Sequence, residues 1–118
     1  MRVSQKALNP SLSKEVENMF FQTIVDMKDL GETKIFFKDF FNESELGVFS
    51  KRLAIAYWLK KGRSYSNIKN NLKVSSATIA SVQTLMNKIG IKIALKKIEA
   101  EEWANVWADR IKKLTKFK

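Results

Sequence analysis

Proline occurs once in this chain, at Pro10, and glycine four times, at Gly31, Gly47, Gly62 and Gly90. From Ser11 onward every residue therefore keeps its amide donor, and few positions favour a left-handed turn. Apolar residues recur at intervals of three and four in long stretches, the spacing of one helix face. The expectation is an all-α protein. With 118 residues, of which 45% are hydrophobic and 29% charged, the composition is globular and suits a single all-helical domain over 1–118. Within it the pattern changes at two points, separating 1–43, 44–89 and 90–118.

Cysteine and histidine are both absent. Disulfide scaffolds, zinc fingers and Ser-His or Cys-His catalysis are thereby excluded. No metal site or cofactor is expected. Carboxylates, lysines and hydroxyls are left for chemistry, but no spacing joins them into a catalytic site, so the chain is not expected to be an enzyme. The N-terminus carries no apolar run of signal-peptide length, and no apolar segment approaches the roughly 20 residues of a membrane span. A soluble, cytoplasmic protein is expected.

In chain order, Met1 to Ala7 is basic and aperiodic and reads as a mobile arm. Asn9-Pro10-Ser11 has helix-start chemistry, with Ser11 or Ser13 able to cap and Glu15 and Glu17 well placed in the first turns. Leu12, Val16, Met19, Phe20, Ile24 and Met27 carry one stripe to about Asp29, with Gly31 as the stop. A shorter helix is expected from about Thr33 to Phe41, where Ile35, Phe36, Phe37, Phe40 and Phe41 cover almost the whole circumference. Burying one such side chain is worth about 1.5–3 kcal/mol. A small monomer has few places for five of them, so dimerisation through the N-terminal helices is expected ahead of a filled monomer core.

Asn42 and Glu45 form a capping box that opens a third helix, running to about Lys61 and ended by Gly62. Leu46, Phe49, Leu53, Ala56 and Tyr57 mark its core face, extended by Ile55 and Leu59. Two short helices follow, at about Tyr65 to Leu72 and Ser76 to Ile89, capped by Ser64 and Ser75. Lys73, Val74 and Ser75 join them with the spacing of a helix-turn-helix, Val74 serving as its buried plug. On the second short helix Ile79, Val82, Met86 and Ile89 form the inward face. The opposite face collects Ala77, Ala80, Ser81, Thr84, Asn87 and Lys88, flanked by Ser76 and Gln83. Gly90 then interrupts the pattern before a last helix of roughly 20 residues. Ile91, Leu95, Ile98, Trp103, Trp107, Ile111 and Leu114 give that helix a stripe for docking onto the body or a partner subunit, and Arg110 to Lys118 make its end basic. Glu99, Glu101 and Glu102 mark a kink or new start within it.

Charge selects among the functions open to such a fold. Residues 1–43 carry six Lys/Arg against seven Asp/Glu, whereas residues 44–98 carry eleven against one, Glu45. From Leu46 through Ile98 no carboxylate occurs. A soluble surface ordinarily mixes signs, so a polyanion is the expected partner, and counterion release from phosphates favours double-stranded DNA. The small, hydrogen-bonding outer face of the second short helix suits the major groove, where base edges present donors, acceptors and thymine methyls. Base contacts are expected from Ser76, Ala77, Ala80, Ser81 and Thr84, and phosphate contacts from Arg63, Lys69, Lys73 and Lys88, with Lys60 and Lys61 as further contributors. The competing reading is a helical protein-interaction or RNA-associated module without sequence-specific DNA binding, whose outer face is an ordinary solvated one. An anionic membrane surface would need an apolar helix face left exposed, and no membrane partner is expected.

Glu45 to Met86, ELGVFSKRLAIAYWLKKGRSYSNIKNNLKVSSATIASVQTLM, resembles the helix-turn-helix core of the tryptophan repressor superfamily, in particular its YerC/YecD-like branch. The similarity lies in the acid-started helix with Lys51 to Leu53 at its centre, the Gly62 stop, then Tyr65, Ile68 and Leu72, and the Ala77-Thr78-Ile79 opening of the recognition helix. It implies an all-α, intertwined homodimer of about six helices per chain that regulates transcription as a repressor. Two recognition helices would then enter successive major grooves of a near-palindromic operator. By the same resemblance Ser76, Ala77 and Ala80 lie nearest the base edges, and Lys69 faces DNA from the preceding helix. Arg52 matches an arginine that helps hold the co-repressor, which makes it the candidate for a small-molecule effector pocket. The second arginine of that pocket is replaced by Ser81, so tryptophan is not expected as the effector. Lys73 stands where such turns place glycine, and a lysine at positive φ costs about 1–2 kcal/mol. Either the turn differs from the family's or the strain is tolerated.

Overall fold

Asn9 opens the first helix, accepting a hydrogen bond from the Leu12 amide at 2.8 Å, and Pro10 takes the first helical position, where its missing N–H is harmless. The structure is a computed structural model that describes residues 7–115. Helix α1 runs Pro10–Val25 and α2 runs Leu30–Phe40. Ser11 and Ser13 lie inside α1, because Asn9 already occupies the capping position. Gly31 is not the stop of α1 but sits in the first turn of α2. There Asp29 accepts from the Glu32 amide at 2.9 Å, while Glu32 reaches back to the Lys28 amide at 3.3 Å. This carboxylate capping starts a helix before the glycine, which no longer needs to end one. Apart from Ala7, the arm expected at Met1 to Ala7 lies outside the described residues, as do Lys116 to Lys118 of the basic end.

The chain divides into two compact units, one up to Leu46 and one from Gly47 onward. In the first, aromatic rings pile on one another. Phe36 and Phe40 stack at 5.1 Å, Phe37 and Phe41 at 5.3 Å, and Phe20 of α1 meets Phe40 at 5.9 Å. Even so, no residue of α1 or α2 is buried, and Phe40 remains 60% exposed.

Helix α3, Glu43–Lys60, begins at the expected capping box. Asn42 accepts from the Glu45 amide at 2.8 Å and Glu45 accepts from the Asn42 amide at 3.0 Å. Gly62 follows its end at φ 82°, a left-handed position that favours glycine. Helices α4, Tyr65–Leu72, α5, Ser76–Gln83, and α6, Ile89–Thr115, complete the order. The second unit has one core, formed by Ile55 and Ala56 of α3, Ile68 of α4, Ile79 and Val82 of α5, and Leu95 of α6. Phe49 and Leu53, expected on the core face of α3, are exposed instead. They share a face with the buried Ala56 and with it line one recess beside Val82 and Leu85, so the expected face is the inner one only at its Ala56 end.

α5 is shorter than its apolar spacing suggests. Thr84 caps it, and the following amides bond three residues back: Leu85 to Val82 at 2.8 Å, Met86 to Gln83 at 3.2 Å and Lys88 to Leu85 at 2.9 Å. These tight turns keep Met86 half-buried against the core while releasing Ile89, which is 76% exposed. Gly90 lies inside the first turn of α6 and interrupts nothing. Intervals of three and four fit α-helix and successive three-residue turns alike, so periodicity does not reveal the break.

Candidate nucleic-acid interface

The site is built on the α4–turn–α5 unit. Ser64 caps α4 by accepting from the Asn67 amide at 3.1 Å, and Ser75 caps α5 by accepting from the Thr78 amide at 3.1 Å. Ile68 and Ile79, both fully buried, lock the two helices onto the core. Between them Lys73 adopts φ 56°, ψ 52°, and its N–H bonds to the Lys69 carbonyl. The strained alternative is therefore the one adopted: a lysine occupies the left-handed position, with Val74 packed against the core as the plug.

With Ile79 and Val82 buried, α5 turns Ser76, Ala77, Ala80 and Ser81 to solvent. Thr84 stands at the C-terminal cap, and its hydroxyl donates to the Ser81 carbonyl at 2.6 Å. Asn87 and Lys88 lie beyond the helix in the turn before α6, off the face that a longer helix would have given them. Lys69 is exposed on α4 and Lys73 on the turn. Arg63, in the α3–α4 loop, is held in place: its guanidinium lies 3.9 Å from the Trp58 ring centroid and donates to Asn67 Oδ1 at 3.2 Å. Neither Trp58 nor Asn67 stands out from the sequence as part of the site. The i, i+4 spacing of Arg63 and Asn67 is the one available signal, and Trp58 requires the loop geometry.

Lys60 and Lys61 are engaged elsewhere. Lys60 pairs with Glu99 and Lys61 with Glu102, each at 3.2 Å, and the Tyr57 hydroxyl also donates to Glu102. The Tyr57 bond, then Lys61, holds the Glu102 carboxyl below its ordinary value. Bonding to Glu102 raises both the Tyr57 phenol and the Lys61 ammonium. These contacts tie the polar side of α6 to α3.

Arg52 and Ser81 face a common cleft of about 620 Å³, lined also by Lys51, Lys73, Ala77 and Thr78. Three cations and one flank of α5, which includes Ala77 and Ser81 of its outward face, thus meet around one space. Among the described residues no group of three or more histidines, cysteines, aspartates or glutamates could hold a metal ion.

Residues 15–98 match the family described as Trp repressor protein. The chain belongs to the Trp repressor family. It is also 34% identical over 74 residues to the uncharacterized protein YerC of Bacillus subtilis, covering 63% of this chain and 70% of that protein. A solved structure of a TrpR-like protein from Eubacterium eligens matches with a TM-score of 0.70 at 29% identity, over 77% of this chain and 96% of the other. The all-α fold and the YerC-like branch inferred from Glu45 to Met86 are thereby established. The family match takes in the helix-turn-helix, the Arg52 cleft and α6 as far as Ile98. The rest of α6, with Trp103 and Trp107, lies outside it. No helix among the described residues is long and apolar enough to cross a membrane.

Proposed function

We propose that this chain is a sequence-specific transcriptional repressor that binds double-stranded DNA as a homodimer and inserts α5 into the major groove. One observation carries the reading: α5 buries Ile79 and Val82 and presents Ser76, Ala77, Ala80 and Ser81 outward, in the middle of a segment without carboxylates from Leu46 to Ile98. In this reading the two serines hydrogen-bond base edges, the two alanines meet thymine methyls, and Thr84 contributes from the end of the helix. Arg63, Lys69, Lys73 and Lys88 neutralise phosphates. Lys60 and Lys61, paired with Glu99 and Glu102, contribute less than their charge suggests.

The dimer is supported by the apolar surface of α1 and α2. Met19, Phe21, Val25, Leu30, Ile35 and Phe40 are all exposed, and water is a poor solvent for so much of it. Arg52 and Ser81 across one cleft support a small-molecule effector other than tryptophan. The test is a salt titration of binding to duplex fragments. Four phosphate contacts per protomer, eight per dimer, give an expected slope of log K against log salt of about −7. Selection from a random duplex pool should return a near-palindrome with half-sites about one helical turn apart. A shallow slope, or no sequence preferred over random DNA, would defeat the proposal.

A further inference from the structure

We infer that the cleft between α3 and α5 binds a phosphate-bearing small molecule, and that this ligand releases DNA instead of helping to hold it. The inference rests on the reading of α5 as a DNA-binding helix and adds to it the class of the effector and the sign of its effect. The cleft measures about 620 Å³, within the range of small-molecule sites. Lys51 and Arg52 of α3 and Lys73 of the turn line it. Among the described residues none of these three is in an ion pair, whereas Lys60 and Lys61 are paired with Glu99 and Glu102. Cations gathered around one space repel one another, and a group with two negative charges relieves that repulsion best. Arg52 offers the fork that matches a phosphate, and the Ser81 hydroxyl offers a further donor. A monocarboxylate would leave two of the three cations unneutralised. A zwitterionic amino acid would bring no net charge at all, and no carboxylate lines the cleft to receive its ammonium group. Val48, Val74 and Val82 line the same space and suit the apolar part of the molecule that bears the phosphate.

The sign of the effect follows from residues that the cleft shares with the proposed interface. Lys73, Ala77 and Ser81 line it, and the same three carry one phosphate contact and two base contacts in the proposed complex. A ligand held by Lys73 takes away a cation on which the duplex depends, and it sets two negative charges beside the DNA backbone. Like charges repel within a Debye length, about 8 Å at physiological salt. Ligand and duplex therefore oppose each other. By linkage the antagonism is reciprocal: DNA weakens the ligand by the factor by which the ligand weakens DNA, and such couplings are typically about 5- to 150-fold.

The test uses the full chain with inorganic pyrophosphate as the probe, in magnesium-free buffer, and reads the anisotropy of a labelled duplex selected from the random pool. Sodium chloride is lowered to hold the ionic strength constant. Pyrophosphate is expected to weaken binding of the duplex at least about fivefold. In Lys51→Gln/Arg52→Gln, which changes two exposed side chains, the weakening relative to the variant's own DNA affinity should disappear. Lys96→Gln/Lys97→Gln loses the same charge from exposed positions of α6 outside the cleft and should keep it. Circular dichroism checks that both variants fold. Unchanged or tighter binding of the duplex in pyrophosphate overturns the inference, as does an equal effect in all three proteins, which is general screening. A salt slope shallower in Lys51→Gln/Arg52→Gln by about 0.9 per phosphate, with no pyrophosphate effect in the wild-type chain, assigns the cleft to the DNA backbone and overturns it too. Calorimetry of pyrophosphate without DNA separates this inference from the reading on which it rests. If no duplex is preferred over random DNA, that reading fails; the ligand site fails only if all three proteins bind pyrophosphate alike.

Discussion

Replacing Lys73 by glycine should separate stability from DNA binding. Lys73 sits at φ 56°, where an L-residue other than glycine carries about 1–2 kcal/mol of strain. Glycine removes it, at a cost of about 0.5–1 kcal/mol for the extra freedom of the unfolded chain. A net stabilisation of about 0.5–1 kcal/mol remains, which raises Tm by roughly 2–6 °C for a domain of this size. Lys73→Ala loses the same charge and keeps the strained backbone, so it should unfold below the glycine variant by about 1 kcal/mol. Both should weaken binding to all DNA sequences alike and reduce the salt slope by about 0.9 for each phosphate no longer neutralised, twice that per dimer. Thermal unfolding of the three proteins at one concentration, with anisotropy titrations against specific and random duplexes, reads both effects. Equal Tm values for the glycine and alanine variants would refute the strain argument, and an unchanged salt slope would remove Lys73 from the residues that neutralise phosphate.

Ile79→Ala empties a fully buried position in a small core and should cost about 2–5 kcal/mol in denaturant unfolding, with amide exchange accelerated throughout α4 and α5. Ser75→Ala removes the acceptor that caps the Thr78 amide and should cost about 1 kcal/mol, fraying the start of α5 while leaving the rest of the fold intact. The Tyr57–Glu102–Lys61 cluster defines a pH window. Glu102 is depressed in the folded chain, so its contribution is present above the ordinary glutamate value of about 4.3 and is lost as pH falls through its lower folded value. Tyr57 and Lys61 are raised, so theirs is present below the ordinary values of about 10 and is lost as pH rises through the folded ones. In a carboxyl NMR titration Glu102 should titrate below the ordinary value and move up in Tyr57→Phe; no movement would show that the phenol does not hold it.

What can be read from the chain is governed by range. The Asn42–Glu45 box, the Ser64 and Ser75 caps and the Gly62 stop are interactions within three or four residues, and each stands where the residue types put it. The inward pair Ile79 and Val82 follows from periodicity in the same way. The end of α5 does not, because three-residue turns after Thr84 carry apolar residues inward at intervals that a helix shares. Gly31 and Gly90 mislead for a related reason: glycine permits a stop, but Asp29 capping at one place and the turn before Ile89 at the other decide where helices begin. The occupation of Lys60 and Lys61 by Glu99 and Glu102 spans some 40 residues of sequence, and no local rule anticipates it. Phe49 and Leu53 show the deeper limit. They lie on the same face as the buried Ala56, and how far along α3 that face is covered depends on α5 and α6, not on α3 itself.

The cleft beside α5 leads to the last prediction. Arg52 and Ser81 line the same space, so whatever binds there touches both α3 and α5, the helix proposed to read bases. Lys51 and Lys73 keep the cleft cationic, which suits an anionic ligand, but Ser81 cannot supply the planar, charged donor that an arginine would lay beside an aromatic ring. A hydrogen bond to a charged group is worth about 1.5–3 kcal/mol, so its absence weakens a carboxylate-bearing indole by roughly 10- to 150-fold. Ser81→Arg supplies that donor. Calorimetry should show tryptophan binding to the variant at least tenfold more tightly than to the wild-type chain. Equal affinities would mean that the residue at position 81 does not decide the ligand and that Arg52, shared with the neighbouring apolar recess of Phe49, Leu53 and Leu85, selects it from the other side.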